Sequence, residues 1–168
     1  MNVLVTVASK HGATAQIAEA IGRALAKADI AAEIVPPDEV RSLKGYDAVI
    51  LGSAVYAGRW LDDAKQLAQR EAPALATRPV WLFSSGPIGD PPQPAEESVD
   101  IAPILALTGA RGHRTFGGLL DKDRLGFGER AIVRVVRAEE GDYRPWPEID
   151  AWVAEIATAL TASAASGH

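Results

Sequence analysis

A run of apolar and β-branched residues near the start of the chain, Val3-Leu4-Val5-Thr6-Val7-Ala8, leads directly into Ser9-Lys10-His11-Gly12-Ala13-Thr14 and on into an amphipathic helical pattern. Ile17, Ala18, Ile21, Ala24 and Leu25 recur at helical spacing, which predicts a helix over residues 13–28 with a single apolar stripe. A buried strand that meets a tight glycine turn and then a helix start is a constrained unit. The helix opens with unpaired N–H groups and the positive end of its dipole, so the turn suits a phosphate or a similar anion.

The same alternation continues along the chain. Residues 31–35 form a short strand candidate stopped by Pro36-Pro37, and Tyr46-Asp47-Ala48-Val49-Ile50-Leu51-Gly52 forms another, almost wholly apolar after Asp47. A continuous apolar run belongs to a strand buried on both faces. Helical spacing resumes after Arg59 through Trp60, Leu61, Ala64, Leu67 and Ala68 and ends near Pro73, and Pro79-Val80-Trp81-Leu82-Phe83-Ser84 reads as a fourth strand. Residues 85–94 hold four prolines and two glycines and are predicted as a loop. A helix over 95–110, interrupted by Pro103, would turn Val99, Ala102, Leu105 and Ala106 inward. A fifth strand is expected at 113–116, and Ile149, Trp152, Val153, Ile156 and Leu160 mark one face of a last helix, with Pro145 and Pro147 near its start. Residues 1–160 then form one domain, and the small, polar stretch 161–168 is expected to be a flexible tail.

Strands alternating with helices predict an α/β fold, a parallel sheet covered on both sides and linked by right-handed crossovers. Ligands of such folds lie in the crevice at the carboxyl ends of the strands. Three segments leave strands there, 9–14, 53–60 and 84–90. The first lacks both the Gly-x-Gly-x-x-Gly of dinucleotide sites and the Gly-Lys-Ser/Thr of a Walker loop, so it suits a mononucleotide better. The Ser9 and Thr14 hydroxyls and the backbone N–H groups of 10–14 would hold its phosphate, and Lys10 and His11 could add positive charge. The plainer alternative is a turn made by Gly12 with Thr14 capping the helix.

Composition narrows the chemistry. The absence of cysteine excludes disulfides, thiolate metal sites and thiol redox chemistry, so a redox role would need a bound cofactor and no metal site is expected. No apolar run approaches the roughly 20 residues that span a bilayer, and Met1-Asn2-Val3-Leu4 lacks a basic leader region, so the chain reads as cytoplasmic. The net charge of −5 gives no reason to expect a nucleic acid partner, yet it is unevenly spread: Arg111 to Arg144 carries eight Lys/Arg against six Asp/Glu, leaving nine against sixteen elsewhere.

Ser9-Lys10-His11-Gly12-Ala13-Thr14 resembles the phosphate loop of the flavodoxin family, Ser/Thr-x-Thr-Gly-x-Thr between the first strand and first helix. The resemblance covers most of the chain. Within that family it is nearer to the menaquinone-dependent protoporphyrinogen oxidase branch and its flavodoxin-domain relatives, where the loop has a basic second residue and a third residue other than Thr. Gly52-Ser53-Ala54-Val55-Tyr56-Ala57-Gly58-Arg59-Trp60 is similar to that branch's second loop, although the branch places an aromatic where this chain has Ala57, and Gly141-Asp142-Tyr143-Arg144-Pro145-Trp146 resembles its ending. The resemblance implies a flavodoxin-like, doubly wound five-stranded parallel sheet in the order 2-1-3-4-5, with FMN as cofactor. Ser9, Lys10, His11, Gly12, Ala13 and Thr14 would then surround its phosphate. Ser53, Ala54, Val55, Tyr56, Ala57 and Gly58 would border the flavin ring, with Tyr56 stacking, while Trp60 either touches the ring or faces the core. Ser84, Ser85, Gly86 and Gly89 would offer free N–H groups to its pyrimidine end.

Residues 119–138 exceed what a minimal flavodoxin needs and resemble the inserted segment of the protoporphyrinogen oxidase branch. Arg130, Arg134 and Arg137 share one helical face, which could approach an anionic membrane surface, on the inner side of the membrane, or an acidic substrate; an ordinary solvated helix or hairpin explains them as well. Two functions follow from the resemblance. The first is an FMN-dependent oxidoreductase that passes electrons from a protoporphyrinogen-like substrate to a quinone or other small-molecule acceptor, with FMN rather than any side chain carrying the chemistry. The second is a flavodoxin-type carrier between protein partners. Carriers usually meet basic partners through acidic surfaces, so the basic segment favours the enzyme. A receiver domain on the same topology would need acidic residues where Ala8-Ser9 and Gly52-Ser53 stand.

Overall fold

The apolar runs sort their side chains by alternation onto two sides of one sheet. In the computed structural model, which describes residues 1–10, 12–86, 98–117, 119–120, 141–142 and 144–166, the strands β1 (Asn2–Ala8), β2 (Ala31–Ile34), β3 (Ala48–Tyr56), β5 (Val80–Ser85) and β6 (His113–Phe116) pair in parallel in the order β2-β1-β3-β5-β6. This is the expected 2-1-3-4-5 arrangement. A two-residue strand, β4 (Arg59–Trp60), folds back antiparallel on β3 and stands off that path. Val3, Val5, Val7, Ile50, Trp81 and Phe83 pack with the stripes of α1 (Ala13–Lys27) and α5 (Trp146–Ser166), whereas Leu4, Val49, Leu51, Val80 and Leu82 pack with α2 (Asp62–Arg70), α3 (Ala72–Leu75) and α4 (Ile101–Thr108) on the other side. No helix among the described residues is long and apolar enough to cross a membrane.

Several boundaries differ from expectation, each for a local reason. Trp60 belongs to β4 and the helix begins only at Asp62, because residues 57 and 58 turn the chain back before it can coil. Pro73 does not simply end a helix but sits in the first turn of α3, where its missing N–H costs no hydrogen bond. In α4 the inward positions are Ile101, Ile104 and Thr108, with Leu105 partly buried, while Val99 and the Ala102 and Ala106 positions are exposed. That segment is apolar on nearly every side, so helical spacing alone admits more than one stripe. α5 continues through Ser166 into the stretch read as a tail, consistent with its alanine content. The strands β7 (Leu119–Leu120) and β8 (Gly141–Asp142) pair antiparallel and bring residues 120 and 141 together. His11, Gly89, most of the proline-rich loop and residues 121–138 of the expected insertion lie outside the described residues.

On the side of the sheet covered by α1 and α5, the Phe83 ring lies against Gly52. A Cβ there would stand 2.3 Å from the Phe83 ring, so glycine alone lets that ring approach β3 this closely. Phe83, Phe116 and Trp152 form a trio with centroids 5.4–6.0 Å apart, Trp152 meeting both phenylalanines edge to face. Gly52→Ala is expected to lower stability by about 1–3 kcal/mol, seen as a lower urea midpoint; an unchanged midpoint would mean that Phe83 can withdraw without loss.

Candidate functional site

The strand register places Ala8, Ser53, Ser84 and Thr115 in one row across β1, β3, β5 and β6. Loops leaving this row therefore share one end of the sheet. In the first, Gly12 adopts φ 86 and is the residue before α1, its N–H donating to Ser9 Oγ at 3.1 Å and its carbonyl accepting from Gln16 N–H at 3.1 Å. The positive φ is why glycine stands there. Thr14 is not the cap: it lies inside the helix and is buried, and no side chain caps the turn. No acidic residue occupies the first turn of α1, in contrast to α2, which opens with Asp62 and Asp63. The positive dipole end of α1 is thus left without a carboxylate from its own first turn. Arg144 reaches the same turn from the segment before α5, its Nη1 donating to Ala13 O at 3.4 Å and to the side-chain carbonyl of Gln16, with its guanidinium 4.6 Å from the Trp146 ring centroid.

The second loop is a hairpin. Ala57 (φ 49) and Gly58 (φ 75) form a two-residue turn between β3 and β4, with Val55 opposite Trp60 and Tyr56 opposite Arg59. Positive φ at both turn residues matches the twist of the flanking strands. For Ala57 that conformation costs about 1–2 kcal/mol, so the hairpin needs support from outside. Tyr56 is half-buried, and the Lys10 ammonium lies 5.2 Å from its ring centroid, which brings the first and second loops side by side. The Ser53 hydroxyl faces inward, donating to Ala54 O at 2.7 Å and accepting from Leu61 N–H at 2.9 Å. It closes the hairpin rather than presenting itself at the strand end.

Asp100, just before α4, supplies the support. Its carboxylate accepts from Trp60 N–H at 2.9 Å and takes a two-pronged contact from Arg59, Nε at 3.1 Å and Nη2 at 3.0 Å, with Lys65 Nζ at 3.7 Å. Burial by itself would push this carboxyl up, but the Trp60 amide, Arg59 and Lys65 outweigh it and hold Asp100 below the ordinary carboxylate range. Trp60 is only 2 % exposed and its Nε1–H donates to Ser84 Oγ at 2.8 Å, which is itself 2.8 Å from His113 Nε2.

At the third strand end the structure differs from the expected open loop. Ser84 and Ser85 are buried members of β5, and Gly86 donates its N–H to Phe116 O at 3.1 Å, extending the ladder toward β6. Their backbone is engaged because a parallel strand continues to pair while its neighbours do. Ser9, Lys10, Gly12, Ala13, Thr14 and the residues from Ser53 to Gly58 are brought to one end, and Ser84 to Gly86 join them as the adjacent strand terminus. Asp100 and Arg144 were not legible in the sequence. An Asp ahead of a helix looks like an N-cap, yet this side chain turns away to a hairpin 40 residues earlier, and Arg144 meets Gln16 across 128 positions.

Because its folded-state pKa is lowered, Asp100 stabilises the fold fully above about pH 4 and loses that contribution as pH falls through the depressed value. Asp100→Asn should cost about 1–3 kcal/mol near neutral pH and flatten the acid limb of a stability profile in urea. Parallel wild-type and variant profiles below about pH 4 would contradict this role.

Comparison with known proteins agrees with the geometry. The family profile for the flavodoxin domain matches residues 4–145. No match was found among curated proteins. Among solved structures, a flavodoxin from the domain Archaea superimposes with TM-score 0.66 at 18% identity, covering 96% of this chain and 99% of that one. A cysteine-to-serine mutant of flavodoxin from Pseudomonas aeruginosa gives 0.62 at 15% identity, with 96% and 99% covered. Rubredoxin oxygen:oxidoreductase from Desulfovibrio gigas gives 0.67 at 13% identity, but this chain spans only 36% of it. The structural likenesses bear on the fold alone, whereas the profile extends over most of the sequence, and the chain belongs to the flavodoxin domain family.

Proposed function

We propose that the chain binds FMN at the carboxyl ends of β1, β3 and β5 and serves as a flavodoxin-type electron-transfer protein. The observation that carries this reading is the first turn of α1, which has no acidic residue and no side-chain cap and opens from a glycine at φ 86. A Cβ on Gly12 or Gly58 would meet nothing within 4 Å among the described residues. In this reading the backbone of residues 10–14, with the Ser9 and Thr14 hydroxyls, receives the phosphate; His11 belongs to the same loop. The hairpin residues from Val55 to Gly58 border the ring, Tyr56 offers its face, and Ser84, Ser85 and Gly86 flank the pyrimidine end. Bound FMN would supply the redox chemistry, and the protein orients it and shapes its electrostatic surroundings. Family membership and full-length likeness to flavodoxins support the carrier over the enzyme.

The order of the two readings is thereby reversed relative to the sequence expectation. The feature that favoured a protoporphyrinogen oxidase was the basic insertion, and residues 121–138 lie outside the described residues. The excess of eight Lys/Arg over six Asp/Glu from Arg111 to Arg144 still favours a second reading, a quinone-linked oxidoreductase acting on a protoporphyrinogen-like substrate, with the basic stretch meeting an acidic substrate or a membrane surface.

FMN fluorescence should be quenched on titration with the apoprotein at micromolar concentration; no quenching would remove both readings. The FMN-loaded protein, once reduced, should pass electrons to a protein acceptor such as cytochrome c. Turnover of protoporphyrinogen with a quinone above that of free FMN would instead establish the enzyme.

A further inference from the structure

We propose that Asp100 is a positioning residue for the flavin, setting through the β3–β4 hairpin how tightly the ring is held and at what potential. This rests on the FMN reading above. The turn that borders the ring in that reading holds both its residues at positive φ, Ala57 at 49 and Gly58 at 75. A Gly-Gly or Asn-Gly pair adopts that shape readily, whereas alanine resists it. The shape is therefore held from outside, and the holding group belongs to another element. Asp100 accepts from Trp60 N–H at 2.9 Å and from Arg59 Nε and Nη2 at 3.1 and 3.0 Å, so one carboxylate grips both residues that follow the turn.

The surroundings of Asp100 agree with this assignment. It stands immediately before α4, where an Asp ordinarily caps the helix, yet its side chain makes no capping bond and is given to the hairpin instead. Asp100 and the Trp60 amide are both buried, so the grip is little screened by solvent. α4 packs against α2, which fixes the carboxylate to the body of the domain. From the far side of the same contact, the Trp60 indole donates to Ser84 Oγ at 2.8 Å, so Asp100 ties the hairpin to the end of β5 as well. Two of the three segments that border the flavin in this reading thus share one support. By linkage, the potential of a bound flavin departs from that of the free one by the ratio of its affinities in the oxidised and reduced forms. A turn that relaxes loses part of that ratio together with affinity.

The test measures FMN affinity by fluorescence quenching and the midpoint potential of bound FMN by redox titration, with far-UV circular dichroism to confirm folding. Asp100→Asn should weaken FMN roughly 5- to 30-fold, the factor that corresponds to the strain at Ala57, and should move the potential toward that of free FMN. Arg59→Lys, which keeps the charge and loses the fork, should shift both in the same direction by less, and serves if Asp100→Asn does not fold. Ala57→Gly relieves the turn, so adding it to Asp100→Asn should restore affinity and potential together. Leu25→Val, a core substitution in the last turn of α1, lowers stability away from the hairpin and should change neither. Unchanged affinity and potential in folded Asp100→Asn would overturn the proposal, as would an equal effect from Leu25→Val or no restoration by Ala57→Gly. Failure of wild type to bind FMN at all would remove the reading on which the proposal stands, an outcome distinct from a silent Asp100 substitution in a protein that binds FMN.

Discussion

Covering β1, β3 and β5 with helices on both faces leaves this sheet only its ends and its outer edges open to a ligand. The constraint begins with side-chain alternation: Val3, Val5 and Val7 enter one layer, Leu4 the other, and the same division repeats in Val49-Ile50-Leu51 and Val80-Trp81-Leu82. Parallel register then aligns Ala8, Ser53 and Ser84 in one row, so the three connecting loops must leave from the same end. The site is a consequence of how the core is buried. Gly52 belongs to this logic as well, since the Phe83 ring occupies the space that any side chain at that position would need.

Within the site, the parts that look like loops in the sequence are held by few and specific contacts. The hairpin turn carries a residue, Ala57, in a conformation that alanine resists, and it persists because Asp100 grips Arg59 and the Trp60 amide at its base. Trp60 continues the connection through Ser84 to His113, tying β4 to the ends of β5 and β6. Strain in one loop is thus offset by a partly buried charged cluster contributed by the start of α4. The first loop has the opposite character, with a helix start whose opening turn holds no acid and two nearby basic side chains.

Much of the architecture was legible from spacing. The five parallel strands, α1 and the apolar face of α5 follow from runs and stripes, because burial on both faces leaves a continuous apolar signature and burial on one side leaves a helical one. α4 was misread in register, since its sequence is apolar on more than one side and contact with α2 selects the stripe. Trp60 was placed in a helix because its spacing to Ala64 and Leu67 is helical, and the reversal at Ala57 and Gly58 shows only in the backbone. The first loop was identifiable because its glycine, hydroxyls and following helix are contiguous. The role of Ser84 and Ser85 was not, because pairing with β6 depends on a strand about thirty residues away in the chain.

The sequence by itself determined the α/β class, the apolar strands and the glycine turn ahead of α1, since each is written in neighbouring residues through alternation, helical spacing and backbone freedom. The tertiary structure alone decided that Asp100 supports the hairpin rather than capping α4, that Ser53 and Ser84 direct their hydroxyls inward, and that Arg144 stands at the first turn of α1. Those contacts join residues tens of positions apart. No local pattern encodes them, because they arise only when the packed sheet brings its strand ends and the distant start of α5 to one place.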